Sequence, residues 1–190
     1  MASSSPSGRG ARRALFGLAL LLGALAIGAR AAGLQDKPAA GAEPQKSIEV
    51  IDASRYTALV AQQRGKPLMV TFWATWCEPC RDEYPMVNEL VKQYKPKGLE
   101  VFAVSLDDDA EETLALHFIA KNQPVFTNYR KKPGKEEEFI NQVDVKWTGA
   151  LPATFFYDRE GHVAGQLVGE HTRQQFVAEL DKLVAAAAKN

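Results

Sequence analysis

A stretch of apolar, β-forming residues, KPLMVTFWA from Lys66 to Ala74, runs without interruption into TWCEPC, from Thr75 to Cys80. A run this uniformly apolar fits a central strand covered on both faces, a position that layered α/β folds supply. Pro79 then suits the first turn of a helix, where its missing N–H costs nothing. The chain therefore passes from a buried strand to a helix N-terminus within a few residues. Its two cysteines, Cys77 and Cys80, both lie at that junction.

The flanking sequence repeats the alternation. SIEVID (Ser47 to Asp52) alternates like a short strand, and SRYTALVAQQRG places Tyr56, Leu59 and Val60 at helical spacing before a stop at Gly65. From Pro79 the helix is expected to reach about Tyr94, with Met86, Val87, Leu90 and Val91 as its apolar stripe. LEVFAVSL (Leu99 to Leu106) reads as a second buried strand. DDDAEETLALHFIAKNQ follows as a helix whose acids, from Asp107 onward, sit at the N-terminus that the helix dipole favours. PVFTNY reads as a short strand. The basic run YRKKPGK (Tyr129 to Lys135) reads as a solvated loop leading into a short helix, EEEFINQVD. ATFFYDREGHVAGQLVG is a hairpin from Ala153 to Val168, turning at Asp158 to Gly161. Thr172 and Gln175 form a capping box ahead of the last helix. The order βαβαβα(βα)ββα predicts an α/β sandwich with a mixed central sheet flanked by helices.

The first residues do not belong to that domain. MASSSPSGRGARR carries Arg9, Arg12 and Arg13 and no acid; an apolar run follows from Ala14 to Ala29, and small residues at Ala29 and Ala31 offer a cleavage site. This is the order of a secretory signal. Residues 1–31 are expected to be removed by cleavage after Ala31, with an uncleaved membrane anchor over 14–29 as the alternative. Residues 32–46, rich in Ala, Pro, Gly and Gln, read as a flexible linker, and 47–190 as the folded domain. Four of the 23 basic residues and none of the 23 acidic ones precede residue 32, so the mature chain is mildly acidic. That balance gives no reason to expect nucleic-acid binding.

Export sharpens the question of the cysteine pair, because thiols outside the cytoplasm tend to oxidise. A domain of this size, 46% hydrophobic, does not need a staple to fold, and a bridge across so short a loop removes little unfolded-state entropy. A structural zinc site wants four ligands, and His117, His162 and His171 have no ligand spacing among themselves. A redox couple suits the position. At a helix N-terminus the dipole and the unpaired N–H groups favour thiolate over a thiol whose ordinary pKa is about 8.5. Cys77 is then expected to be the exposed, activated sulfur and Cys80, one turn in, the resolving one. No metal or organic cofactor is required.

TFWATWCEPC resembles the active site of the thioredoxin superfamily, and the resemblance extends over about residues 46–186. Pro85, five residues after Cys80, stands where thioredoxins carry the proline of the active-site helix. ALPATFF (Ala150 to Phe156) resembles the segment whose cis-proline faces the cysteines. The resemblance implies a thioredoxin-like three-layer sandwich, with Pro152 as that cis-proline and Leu151 as the residue whose backbone pairs with a substrate strand. Within the superfamily, CEPCRDEYP, the signal segment and the insertion between Asp107 and Val143 resemble the exported TlpA/ResA-like group. There a Glu three residues after the second cysteine belongs to the active site; here it is Glu83, which is either a proton shuttle for Cys80 or a surface acid. The chain departs from cytoplasmic thioredoxins at Thr71, where they carry a buried Asp. It departs from common members around Trp147, expected either to line the substrate groove beside Pro152 or to be core, with the groove favoured.

What the resemblance implies is an extracytoplasmic thiol–disulfide oxidoreductase. Cys77 and Cys80 would reduce protein disulfides, with Trp76, Leu151, Pro152 and Ala153 framing the substrate. A membrane electron donor would re-reduce the pair. Glu78 and Pro79 form the active-site loop, and the Glu78 charge opposes thiolate formation and makes the pair less oxidising. Two other functions remain open. One is a thiol peroxidase of the peroxiredoxin type, disfavoured because Ala74 stands where such enzymes need Thr, with Thr75 one residue late. The other is a metal-binding chaperone using the two thiols.

Overall fold

The computed structural model describes residues 45–187. The expected signal segment and linker, apart from Gln45 and Lys46, lie outside the described residues. Among those described, no helix is long and apolar enough to cross a membrane.

The expected alternation is present: β1 (Glu49–Ile51), α1 (Ala53–Gln62), β2 (Leu68–Trp73), α2 (Glu78–Tyr94), β3 (Glu100–Ser105), α3 (Glu112–Asn122), β4 (Thr127–Lys131), α4 (Glu136–Val143), β5 (Ala153–Tyr157), β6 (Val163–Val168) and α5 (Arg173–Ala187). The sheet order is β1-β4-β3-β2-β5-β6. The first four strands in that order run parallel, and β5 and β6 are antiparallel to their neighbours. Every residue of β2 is buried, as its unbroken apolar run requires.

Alternation along the strands sends two cores to opposite faces of the sheet. Met69 and Trp73 face α2, α3 and α5, where Val87, Leu90, Ile119, Phe176 and Leu180 complete the packing. Val70 and Phe72 face α1 and α4, against Tyr56, Leu59, Phe139 and Val143. The result is a three-layer thioredoxin-like sandwich. Local signals set the boundaries. Asp52 caps α1 by accepting the Arg55 N–H at 2.9 Å. Thr172 and Gln175 close the capping box, with the Thr172 N–H on Gln175 Oε1 at 2.9 Å.

The basic run departs from expectation. Tyr129 to Lys131 belong to β4, an inner strand between β1 and β3, and not to a solvated loop. Arg130 is 2% exposed and Lys131 4%. The charges survive burial because acids from other segments meet them: Asp109 and Glu112 on Arg130 at 2.7 and 3.0 Å, and Glu136 on Lys131 at 2.9 Å.

Candidate active site

Cys77 is the N-cap of α2, in extended conformation, and its Sγ accepts the Cys80 N–H at 3.3 Å. The two cysteines form a disulfide with their Cα atoms 5.3 Å apart. Glu78 and Pro79 make the first helical turn between them. Both sulfurs therefore sit at the positive end of a 17-residue helix. Cys77 is not the open sulfur expected from the sequence: it is 6% exposed, against 2% for Cys80. It packs into the core that holds Trp73, Ala74 and Tyr84, which the tight turn out of β2 places around it.

One flank of the cysteine turn is clamped by a residue that sequence reasoning missed. Asp107 is fully buried just beyond β3. Its carboxylate accepts the Thr75 N–H at 2.9 and 3.1 Å, the Thr75 hydroxyl at 2.7 Å and the Ser105 hydroxyl at 2.5 Å. Arg81 donates to the Thr75 carbonyl at 2.8 Å, so both sides of that peptide are held. Asp107 was expected among the acids of a helix start; the helical turn begins only at Asp109, and α3 at Glu112. Trp76, next after the clamped Thr75, is 62% exposed and borders a shallow groove with Arg81, Glu111, Leu114 and Phe118.

The other flank is the entry to β5. The Leu151–Pro152 peptide is cis. Ala153 pairs with Phe72, so Pro152 lies beside the end of β2 from which the cysteines emerge. The Pro152 carbonyl accepts the Gly169 N–H at 2.8 Å. Among the described residues, no hydrogen bond engages the Leu151 backbone.

The groove expectation for Trp147 is corrected. Its ring is 4% exposed and packs in the core, 4.7 Å from Phe72 and 5.4 Å from Phe155 between ring centres. Its indole N–H donates to the Ala150 carbonyl at 2.9 Å, because a buried indole needs a partner and the turn ahead of Leu151 supplies one. Trp147 thus braces the cis-proline segment from below.

Glu83 is on the same face of α2 as Cys80, one turn further, and is 7% exposed. Its Oε2 accepts the His171 N–H at 3.2 Å. Burial pushes its carboxyl up from the ordinary 4.5 to about 7; the His171 N–H and the charge of that residue oppose the rise, and Glu170 adds to it. Thr71, where thioredoxins carry a buried acid, is itself buried and accepts the Thr154 hydroxyl at 3.2 Å. Below α2, Asn128 Oδ1 accepts both the Trp73 indole N–H at 3.2 Å and the Tyr84 hydroxyl at 2.9 Å. No local pattern in the sequence marks Asn128, because its partners are 55 and 44 residues away.

His117, His162 and His171 stand on α3, ahead of β6 and ahead of α5. Among the described residues, no group of three or more His, Cys, Asp or Glu is placed to hold a metal ion.

Comparison with known proteins agrees with this fold. The model of the AhpC/TSA family matches residues 42–166. The chain belongs to the AhpC/TSA family. Similar curated proteins include the thiol-disulfide oxidoreductase ResA of Bacillus anthracis, 36% identical over 120 residues, covering 63% of this chain and 65% of the relative. ResA of Oceanobacillus iheyensis is 31% identical over 135 residues, covering 71% of this chain and 65% of the relative. The chain thus spans about two thirds of the length of these relatives, at 65%. Among solved structures, a thiol:disulfide interchange protein of the DsbE type from Chlorobium tepidum is 30% identical, with a TM-score of 0.54, over 67% of this chain and 84% of its own. A DsbF homologue from Corynebacterium diphtheriae, 22% identical, shares the fold with a TM-score of 0.57 over 65% of this chain and 76% of its own.

Proposed function

We propose that the chain is an extracytoplasmic thiol–disulfide oxidoreductase that reduces protein disulfides through Cys77 and Cys80. The observation that carries this reading is the Cys77–Cys80 disulfide capping α2, beside a cis-Pro152 and ahead of the buried Glu83. In the reduced protein, the Cys77 thiolate attacks a substrate disulfide, forming a mixed disulfide and releasing one substrate thiolate. Cys80 passes its proton to the Glu83 carboxylate and attacks Cys77, and the second substrate thiolate leaves. The substrate gains two electrons, and the pair closes as the disulfide. An acid with a pKa of about 7 is suited to take that proton near neutrality.

The surroundings support substrate roles for the flanking residues. An extended substrate strand would lie against the backbone of Leu151, which no hydrogen bond engages among the described residues, with Pro152 and Ala153 next to it and the exposed Trp76 on the other side of the cysteines. Glu78 puts an exposed acidic side chain in the turn between the two cysteines, which disfavours a strongly oxidising pair. The signal-like order of residues 1–31 supports export, and a membrane electron donor would return the pair to the dithiol.

Family membership keeps a thiol-peroxidase reading in view. That chemistry needs a Thr hydroxyl directed at the reacting sulfur. The Thr75 hydroxyl is instead committed to Asp107 at 2.7 Å, which favours disulfide exchange.

The test is the reduction potential of the Cys77–Cys80 couple, measured by equilibration with glutathione or a lower-potential dithiol. A value below about −240 mV identifies a reductant that needs an energised donor; a value above about −150 mV makes the protein an oxidant or isomerase. Hydrogen peroxide consumption that depends on Cys77 would support the peroxidase.

A further inference from the structure

A continuous set of hydrogen bonds joins the cis-proline segment to Glu83 by way of the loop between β6 and α5. Gly169 donates its N–H to the Pro152 carbonyl at 2.8 Å. The Gly169 carbonyl is 2.7 Å from Nδ1 of His171. A carbonyl only accepts, so Nδ1 carries the proton. The His171 backbone N–H then donates to Glu83 Oε2 at 3.2 Å. Gly169 has φ +89°, a conformation that side chains with a Cβ rarely adopt, and this turn brings the Gly169 carbonyl and the His171 ring together. His171 is half-buried and is followed at once by the capped start of α5, which anchors the far end of the loop.

We propose that His171 is a positioning residue for the resolving half of the exchange: its ring, seated on the Gly169 carbonyl, fixes the backbone N–H that aims Glu83 at its work beside Cys80. The inference rests on the exchange chemistry proposed above and assigns a partner to its proton acceptor. A backbone donor in a loop is useful only if the loop is held, and the ring-to-carbonyl bond holds it over two residues. Because the same glycine binds Pro152, the segment that seats the substrate strand and the group that receives the Cys80 proton share one support.

The electrostatics have a definite sign. The charged groups acting on Glu83 are Glu170 and His171, both from this loop; the His171 N–H and charge favour the carboxylate, and Glu170 disfavours it. Releasing the loop leaves a buried carboxyl with less to stabilise its charged form. Fewer molecules then hold a proton acceptor at neutral pH, and the deficit closes as the pH rises.

The experiment follows the reduced full-length chain reacting with excess dithiobis(nitrobenzoate) between about pH 5 and about pH 9. Two thionitrobenzoate anions leave in succession: the first reports attack by Cys77, the second attack by Cys80 on the mixed disulfide. In His171→Ala, the second release is expected to slow by about five- to tenfold at and below neutral pH, to recover at alkaline pH, and to leave the first release unchanged. His171→Asn, whose side-chain N–H can reach the same carbonyl but which carries no charge, should recover most of the lost rate. In a Glu83→Gln background, His171→Ala should add no further loss. The proposal is overturned if His171→Ala keeps the wild-type profile, if both releases fall equally at every pH, or if Asn behaves like Ala. If the Ala variant does not fold, His171→Leu, which keeps bulk at the site but has no donor for the Gly169 carbonyl, is read in its place by the same criteria. If wild type shows no second release, the exchange reading itself fails.

Discussion

Two buried carboxylates flank the cysteine turn, and they are treated in opposite ways. Asp107, beyond β3, is fully buried and receives the Thr75 N–H and the hydroxyls of Thr75 and Ser105. Glu83, on α2, is 7% exposed and receives one donor among the described residues, the His171 N–H. Burial makes a carboxylate costly; donors offset that cost. Asp107 is supplied with donors and serves as a fixed anchor for the backbone ahead of Trp76. Glu83 is left short of them, and its proton affinity rises into the working range of the chemistry. The difference teaches that depth alone does not mark a functional acid. The number of donors that meet it does.

The largest effect should come from removing the anchor. Asp107→Ala leaves the Thr75 and Ser105 donors in the interior without an acceptor, and unfolding in urea should show a loss of about 3–5 kcal/mol. If the loss stays under about 1 kcal/mol, the anchor role is wrong. Glu83 should behave in the reverse sense. Its folded-state pKa of about 7 lies above the ordinary 4.5, so the folded protein binds more protons between those values. The associated stability is complete below about pH 4.5 and is lost as the pH rises through 7, by roughly 3 kcal/mol in all. Urea unfolding of the oxidised protein at acid and alkaline pH should show this slope, and Glu83→Gln should flatten it while slowing the resolving step. The smallest effect concerns the opposite flank. Trp147→Phe keeps most of the packing but removes the indole bond to the Ala150 carbonyl, with an expected loss of about 1 kcal/mol. The KM for a disulfide-bonded peptide should rise more than kcat falls, because the brace acts on the Leu151 segment and not on the sulfurs.

The same contrast explains what could be read from the sequence. Period and punctuation gave the element order, since the all-apolar β2, the stripe on α2 and the Thr172–Gln175 box are local patterns. The cysteine turn was legible because Cys77, Pro79 and Cys80 are adjacent. Asp107 was not, because in DDDAEE it looks like its neighbours; only the return of β3 alongside β2 brings it to Thr75, 32 residues away in sequence. Arg130 and Lys131 were misread for a related reason. Their compensating acids come from other segments, and a basic run carries no sign that the strand bearing it will be internal. Trp147 was judged by its nearness to Pro152 in sequence, whereas the space between Phe72 and Phe155 decided its place.

At one margin of the sheet, β1 is three residues long and pairs with Tyr129, Arg130 and Lys131 of β4. It does not reach Asn128. There the side-chain amide of Gln45 stands in for a strand residue, giving its Nε2 to the Asn128 carbonyl at 2.6 Å and taking the Asn128 N–H on Oε1 at 3.0 Å. The outer margin on the other side is β6, which carries exposed valines at both ends, Val163 and Val168. The amide thus closes the ladder of β4 where β1 stops short, whereas β6 has no strand beyond it among the described residues, which makes Val163–Val168 the place to introduce a lysine when a concentrated, long-lived solution of the protein is wanted.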